Sequence, residues 1–245
     1  MTYTLPSEPT LDSTTLFSLL STVAILIAAL ALSRVVLPSN MATRWRFLFV
    51  WHAFDALIHF ILEGSFIYHC YFSVAPVPKD GSLYWPDPEN YLGSGLTARF
   101  RKIHGPQAAP QNALANLWIV YARADRRWAG VDLTVLSIET ITVLFAGSLA
   151  CFVCYDIARR NPRASLSAII LAVAEIYGGY MTFMPEWLSG NINLDTSNWM
   201  YKWLFLTFFN GLWVVVPLYS IYVAADDIFE AFRVRQATLG RKKQK

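Results

Sequence analysis

The chain has 245 residues, 55% of them hydrophobic and 15% charged, and its mean hydropathy is positive. That balance is too apolar for an ordinary soluble domain and points to an integral membrane protein. The formal net charge of +3 gathers in loops and in the C-terminal tail, which basic segments flanking a membrane explain, and no nucleic-acid partner is expected.

A spanning helix needs about 20 mainly apolar residues, and the spacing predicts five such helices over 16–36, 47–72, 133–156, 166–187 and 203–225. The expected fold is therefore all-α, one membrane domain over 1–245 built as a bundle of five transmembrane helices. The first apolar run follows Glu8 and Asp12 rather than basic residues and lacks a small-residue cleavage site, so it reads as a retained anchor. Basic clusters follow the first span (Arg34, Arg44, Arg46), the third (Arg159, Arg160, Arg163) and the fifth (Arg233, Arg235, Arg241), which places these three segments in the cytosol. The connection over 73–132 also carries Lys and Arg yet falls on the opposite side, a conflict softened by its length and its acidic residues.

That connection is rich in Pro and Gly, among them Pro76, Pro78, Pro86, Pro88, Gly93 and Gly95, and is expected to be an irregular, extended loop. Its aromatics Tyr84, Trp85 and Tyr91 suit a lid at the membrane interface as well as they suit a disordered insertion. The terminal string Lys242-Lys243-Gln244-Lys245 resembles a dilysine retrieval signal read at the cytosolic face of the endoplasmic reticulum, or else a basic tail lying against anionic lipid. Cys70, Cys151 and Cys154 all fall in apolar stretches and read as packing thiols, with no disulfide framework.

Ionisable side chains inside the spans carry the functional signal. Each charged group near the bilayer centre costs about 2.5–3.5 kcal/mol on insertion scales, so it asks for a partner or a task. In the second span His52, Asp55, His59 and Glu63 recur at helical steps and share one face. The third span holds Glu139, Thr140 and Thr142, the fourth Glu175 and Tyr177, and the fifth Asn210 and Trp213 one turn apart. Thr140 and Glu175 read as polar glue between helices, and His52 as an interfacial residue near a helix start. Two carboxyls and an imidazole in His59, Glu63 and Glu139 exceed what glue requires.

Such a trio suits proton transfer at carbon: one group protonates an alkene, and another takes a proton from the resulting cation. The face of Trp213 stabilises a cation without attacking it, and Asn210 can orient a carboxyl or bind a hydroxyl. No Cys-His cluster, H-E-x-x-H string or phosphate loop occurs, so no metal and no cofactor is expected.

The strings His59-Phe60-Ile61-Leu62-Glu63-Gly64, Glu139-Thr140-Ile141-Thr142, Ile176-Tyr177-Gly178 and Asn210-Gly211-Leu212-Trp213 resemble the emopamil-binding protein family, with its EXPERA domain. The likeness runs over 51–229, with Trp118, Tyr121, Ala122 and Asp125 also in place. It implies a five-helix bundle of the endoplasmic reticulum that shifts a sterol double bond from Δ8 to Δ7. It further implies that His59, Glu63, Glu139, Thr142, Asn210 and Trp213 are the catalytic set. In that scheme His59 and Glu63 deliver a proton to C9, Glu139 with Thr142 and Asn210 takes one from C7, and Trp213 faces the cation.

Asp55, a further acid one turn from His59, departs from the family pattern, as does the length of the 75–112 stretch. Asp55 is read either as a counter-ion of His59 or as the mark of a different substrate. Asp55, Tyr177 and Glu175 are expected to bind substrate or support the site. The alternatives are an isomerase or cyclase acting on a terpenoid or meroterpenoid, including an epoxide, and a non-catalytic sterol-binding protein. The expected partners are the lipid substrate and the bilayer, with a homodimer left open.

Overall fold

The structure, a computed structural model, describes residues 12–80, 82–83 and 102–243. Helices α1 (Ser13–Val36) and α2 (Thr43–Phe72) precede a short α3 (Ala113–Ala122). They are followed by α4 (Leu133–Ala158), α5 (Arg163–Ser189) and α6 (Met200–Lys242). All but α3 are long and apolar enough to cross a membrane, and each span expected from sequence lies inside one of them. Most of their large side chains face outward, as lipid-facing helices require: only 22% of the apolar window of α1 and 17% of that of α6 is buried, against 61% for α2. The second helix is thus the centre of the bundle.

Local chemistry sets the ends. Asp12 caps α1 by accepting from Thr15 N at 2.7 Å, Asn112 caps α3 by accepting from Leu114 N and Ala115 N, and Asp132 caps α4 by accepting from Val135 N. The 43 residues of α6 measure roughly 64 Å at 1.5 Å per residue, about twice the hydrocarbon core of a bilayer. Its C-terminal half therefore projects as an exposed helix carrying Arg233, Arg235 and Arg241. At the level of Asp226 three connections meet at one end of the bundle. Arg44 pairs with Asp226 at 2.9 Å, Ser165 donates to Asp227 at 2.7 Å, and Arg160 donates to Asn40 at 2.7 Å. The three basic segments singled out in the sequence thus lie at one end of the molecule.

The 73–132 connection differs from the irregular loop expected there. Strand β1 (Val74–Pro76) pairs antiparallel with β2 (Lys102–His104). Gly105 then turns with φ +94°, where an added Cβ would lie 2.8 Å from the Gly130 backbone. Helix α3 follows and packs into the bundle, because its Trp118 stacks on Trp128 at 4.8 Å and donates to Ser65 Oγ at 3.0 Å. Pro and Gly are turn signals, but a ten-residue apolar helix with an Asn cap outweighs them downstream. The aromatics Tyr84, Trp85 and Tyr91 lie outside the described residues, as does the end of the dilysine string.

A buried ion pair anchors this segment. Arg127 forks onto Asp125 through Nε (2.9 Å) and Nη2 (2.7 Å), donates to Thr182 O, and lies 3.4 Å from Glu186. Burial pushes the Asp125 carboxyl above its ordinary range, against the pull of the guanidinium. Glu186 in turn accepts from Asn193 N and Nδ2, tying the turn between α5 and α6 to the end of α3. The three cysteines are free thiols.

Candidate active site

Three of the spans are interrupted by π-helical turns: Ile58–Glu63 in α2, Thr142–Ala146 in α4 and Met200–Phe209 at the head of α6. A widened turn shifts the phase of all that follows it and frees carbonyls from the regular ladder; such turns concentrate at functional sites. Here each one contains or directly precedes a residue of the expected site. His59 and Glu63 lie within the first and Thr142 opens the second. Asn210 follows the third, where its amide donates to the Phe205 and Leu206 carbonyls at 3.0 and 2.9 Å.

Within the first turn His59 Nδ1 lies 2.6 Å from Glu63 Oε2. Its other nitrogen, Nε2, stands 2.9 Å from Asp55 Oδ1 in a bent approach. The imidazole, 1% exposed, is thus held between two carboxyls of its own helix. Glu139 of α4 is buried and its carboxyl meets that of Glu63. Two bare carboxylates so placed repel, and a proton held between them removes the repulsion. Gly147 lets the helices approach: a Cβ there would lie 3.1 Å from the Phe60 ring and 3.2 Å from His59 Cβ.

These groups line a cavity of about 1230 Å³. His59, Glu63, Glu139, Thr142, Asn210 and Trp213 all reach it, as do Glu175 and Tyr177. Most of the remaining wall is apolar or aromatic, including Trp118, Tyr121 and Trp128 from the α3 segment. Ile141, Phe145 and Tyr177 line its edge and are each more than 60% exposed, so the wall opens outward between α4 and α5. The volume and the lining suit a polycyclic or terpenoid lipid.

Trp213 is fixed at the cavity wall: its Nε1 donates to Asp55 Oδ1 at 2.8 Å and its ring packs on Trp51 at 5.4 Å. Asp55 is fully buried and does not reach the cavity, so it supports the site from behind. Thr142 Oγ1 donates to Ile138 O, and Asn210 donates to Tyr121 OH at 2.9 Å as well as to its own helix. Neither donates to Glu139 in this structure.

Three sequence expectations change. His52 is not interfacial: α2 begins at Thr43, nine residues earlier, and His52 is fully buried with Nε2 3.5 Å from Ser220 Oγ of α6. Thr140 does not join two helices, since its hydroxyl donates to Leu136 O of its own helix. Glu175 is more than glue: with Asp55 and His59 it forms a buried cluster whose nitrogen and oxygen atoms lie within 4.8 Å of one another. The cavity roles of Trp128 and Phe205 went unread. Trp128 follows α3 in a short 3-10 turn and Phe205 sits in the π turn that opens α6, two stretches where a regular helical period places no side chain.

Comparison with known proteins now bears on this geometry. The family model for EXPERA (expanded EBP superfamily) matches residues 113–224. That stretch is similar to an EXPERA domain. The EXPERA match contains Glu139, Thr142, Glu175, Asn210 and Trp213, while His59 and Glu63 precede it. Among curated relatives, the 3-beta-hydroxysteroid-Delta(8),Delta(7)-isomerase of Cavia porcellus is 27% identical over 71% of this chain and 61% of its own length. The enzyme of the same name from Mus musculus is 24% identical over 67% of this chain and 71% of its length. Isomeliandiol synthase of Ailanthus altissima is 25% identical over 70% of this chain and 65% of its length. The chain therefore spans about three fifths to seven tenths of the length of these three relatives.

Proposed function

We propose that this chain is a cofactor-independent isomerase of the endoplasmic-reticulum membrane that moves a ring double bond of a sterol from Δ8 to Δ7. The observation that carries the reading is the convergence of Glu63 from α2 and Glu139 from α4 on one apolar cavity, beside His59 and the Trp213 ring. The His59–Glu63 pair delivers a proton to an alkene carbon. The cation that forms lies against the electron-rich face of Trp213, which stabilises charge but supplies no nucleophile. Glu139 takes a proton from a neighbouring carbon and the double bond closes one position along. Because the Glu63 and Glu139 carboxyls meet, the proton returns between them and the site is ready again. An apolar wall keeps water from trapping the cation. In this reading the C-terminal end of α6 lies in the cytosol.

The test is expression in a host that lacks its own Δ8-Δ7 isomerase, followed by sterol profiling. Accumulation of Δ7 sterols supports the reading; an unchanged Δ8 profile with the protein present in the membrane rejects a sterol substrate.

A second reading keeps the proton chemistry and changes the substrate to a terpenoid, an epoxide among them. Isomeliandiol synthase stands among the relatives, and Asp55 and Glu175 add acids that a simple double-bond shift does not need. Turnover of a polycyclic terpenoid, with no turnover of Δ8 sterols, would select it.

A further inference from the structure

Asp55 and Glu175 have no part in the proton cycle just described, and they meet across two helices. Asp55 lies on α2 one turn before His59, and Glu175 comes from α5. The two carboxyls and the His59 ring are 0%, 8% and 1% exposed and contribute one atom each to the 4.8 Å cluster. Asp55 Oδ1 is engaged by Trp213 and His59. Asp55 Oδ2 and both Glu175 oxygens receive no bond from an N–H or hydroxyl donor among the described residues. Buried acceptors left bare are costly, and two adjacent carboxylates add repulsion. One proton held between Asp55 and Glu175 relieves both.

Glu175 lines the cavity and Asp55 does not. We propose that Glu175 is a second proton-accepting group of this cavity, on the Nε2 side of His59, with Asp55 as the link that returns its proton to Glu63. The proposal rests on the proton-transfer reading above and extends it. When a cation is quenched here, a C–H bond of the lipid becomes the new double bond and an O–H bond forms on Glu175. The proton already shared by the pair, drawn onto Asp55 as Glu175 accepts, goes to His59 Nε2, and Glu175 shares the new proton with the Asp55 carboxylate this leaves. The imidazolium then releases its Nδ1 proton to Glu63, which was emptied when it protonated the substrate. Protons balance over the cycle and no other reactant is needed.

The consequence is a substrate class. A shift of the double bond by one position needs only a donor and an acceptor side by side, which Glu63 and Glu139 supply. A second acceptor further along the wall serves a cation that migrates over the carbon skeleton before it is quenched, as in polycyclic and linear terpenoid lipids.

The test uses the full chain in membranes and has two arms. Dicyclohexylcarbodiimide, an apolar reagent that attacks protonated carboxyls, is applied and the modified residues are mapped by mass spectrometry. Glu175 is expected to be modified, and several-fold less so in Asp55→Asn, whose amide donates to Glu175 in place of a shared proton. Modification of Glu63 or Glu139 with none at Glu175, or one equivalent of a divalent metal bound to the purified chain and lost in Glu175→Gln, overturns the proposal. In the second arm a Δ8 sterol and a linear terpenoid epoxide, 2,3-oxidosqualene, are the probes. Glu175→Gln is expected to slow consumption of the epoxide at least about tenfold more than that of the sterol, with partial rescue by Glu175→Asp. Equal slowing of the two probes, or a wild-type chain that leaves the epoxide unchanged, removes the acceptor role and leaves the isomerase reading intact. A wild-type chain inert on the sterol but modified at Glu175 removes the sterol and keeps the second proton site.

Discussion

Trp213 Nε1 donates to Asp55 Oδ1 at 2.8 Å, and the same oxygen stands 2.9 Å from His59 Nε2. A single buried carboxylate therefore positions both the Trp213 ring and the His59 imidazole at the cavity. The coupling is specific to an acid at this position, since a neutral residue gives neither the indole nor the imidazole an anionic partner.

Asp55→Asn retains a carbonyl for the indole but loses the charge beside His59. Steady-state kinetics are expected to show kcat lowered about tenfold or more with KM little changed, the mark of a group that acts through others. Equal losses in binding and turnover would instead mean that the substitution distorted the cavity.

Removing the acids and the imidazole is the broader test. Glu63→Gln, Glu139→Gln and His59→Ala are each expected to lower turnover by about 100-fold or more, while the protein still reaches the membrane and binds a cationic amphiphilic amine. Two of the three keeping more than about one tenth of wild-type activity would remove the acid–base scheme.

Trp213 separates two roles. Trp213→Phe keeps an aromatic face and loses the bond to Asp55; Trp213→Leu loses both. Turnover and affinity for the amine should fall in the order wild type, Phe, Leu. A cation over a ring is worth about 0.5–2 kcal/mol, or roughly two- to thirtyfold in affinity. Leu binding the amine as tightly as wild type would deny the ring its electrostatic role.

Gly147 tests the approach of α4 to α2. In Gly147→Val the branched side chain meets Phe60 and His59, already 3.1 and 3.2 Å from a bare Cβ, so activity should drop with every acid still present. An unimpaired variant would show that His59 tolerates displacement.

The Asp125–Arg127 pair tests stability apart from chemistry. Arg127→Met leaves a buried carboxylate without its partner, and breaking such a pair costs about 3–5 kcal/mol. Thermal unfolding in detergent should show a lowered Tm, partly recovered in the Asp125→Asn, Arg127→Met double variant. An unchanged Tm would mean that Glu186, Asn193 and the backbone hold the segment without the pair.

The spans were legible in the sequence because the length of an apolar run is a direct physical requirement of a bilayer. His59, Glu63 and Glu139 were legible because ionisable groups are costly in such runs, and the cavity gathers all three. Pairings between helices were not. Nothing in the spacing of Asp55 and Glu175, on different helices, announces that their carboxyls meet, and so Glu175 passed for glue. The π turns were equally hidden, since a single extra residue in a helix leaves no mark in an apolar period. Helix α3 was masked by the Pro and Gly residues that precede it, although Asn112 before an apolar run was a usable cap signal.

The central claim is that a buried carboxyl protonates carbon inside this cavity. Turnover in deuterated water, with the product examined by mass spectrometry and NMR, tests it most directly. In a single turnover by protein equilibrated with the solvent, the account predicts a double-bond isomer carrying one deuterium at the newly saturated carbon, absent when Glu63 is replaced by Gln. An isomer formed without deuterium at that carbon, after the protein has been equilibrated with the solvent, would contradict it.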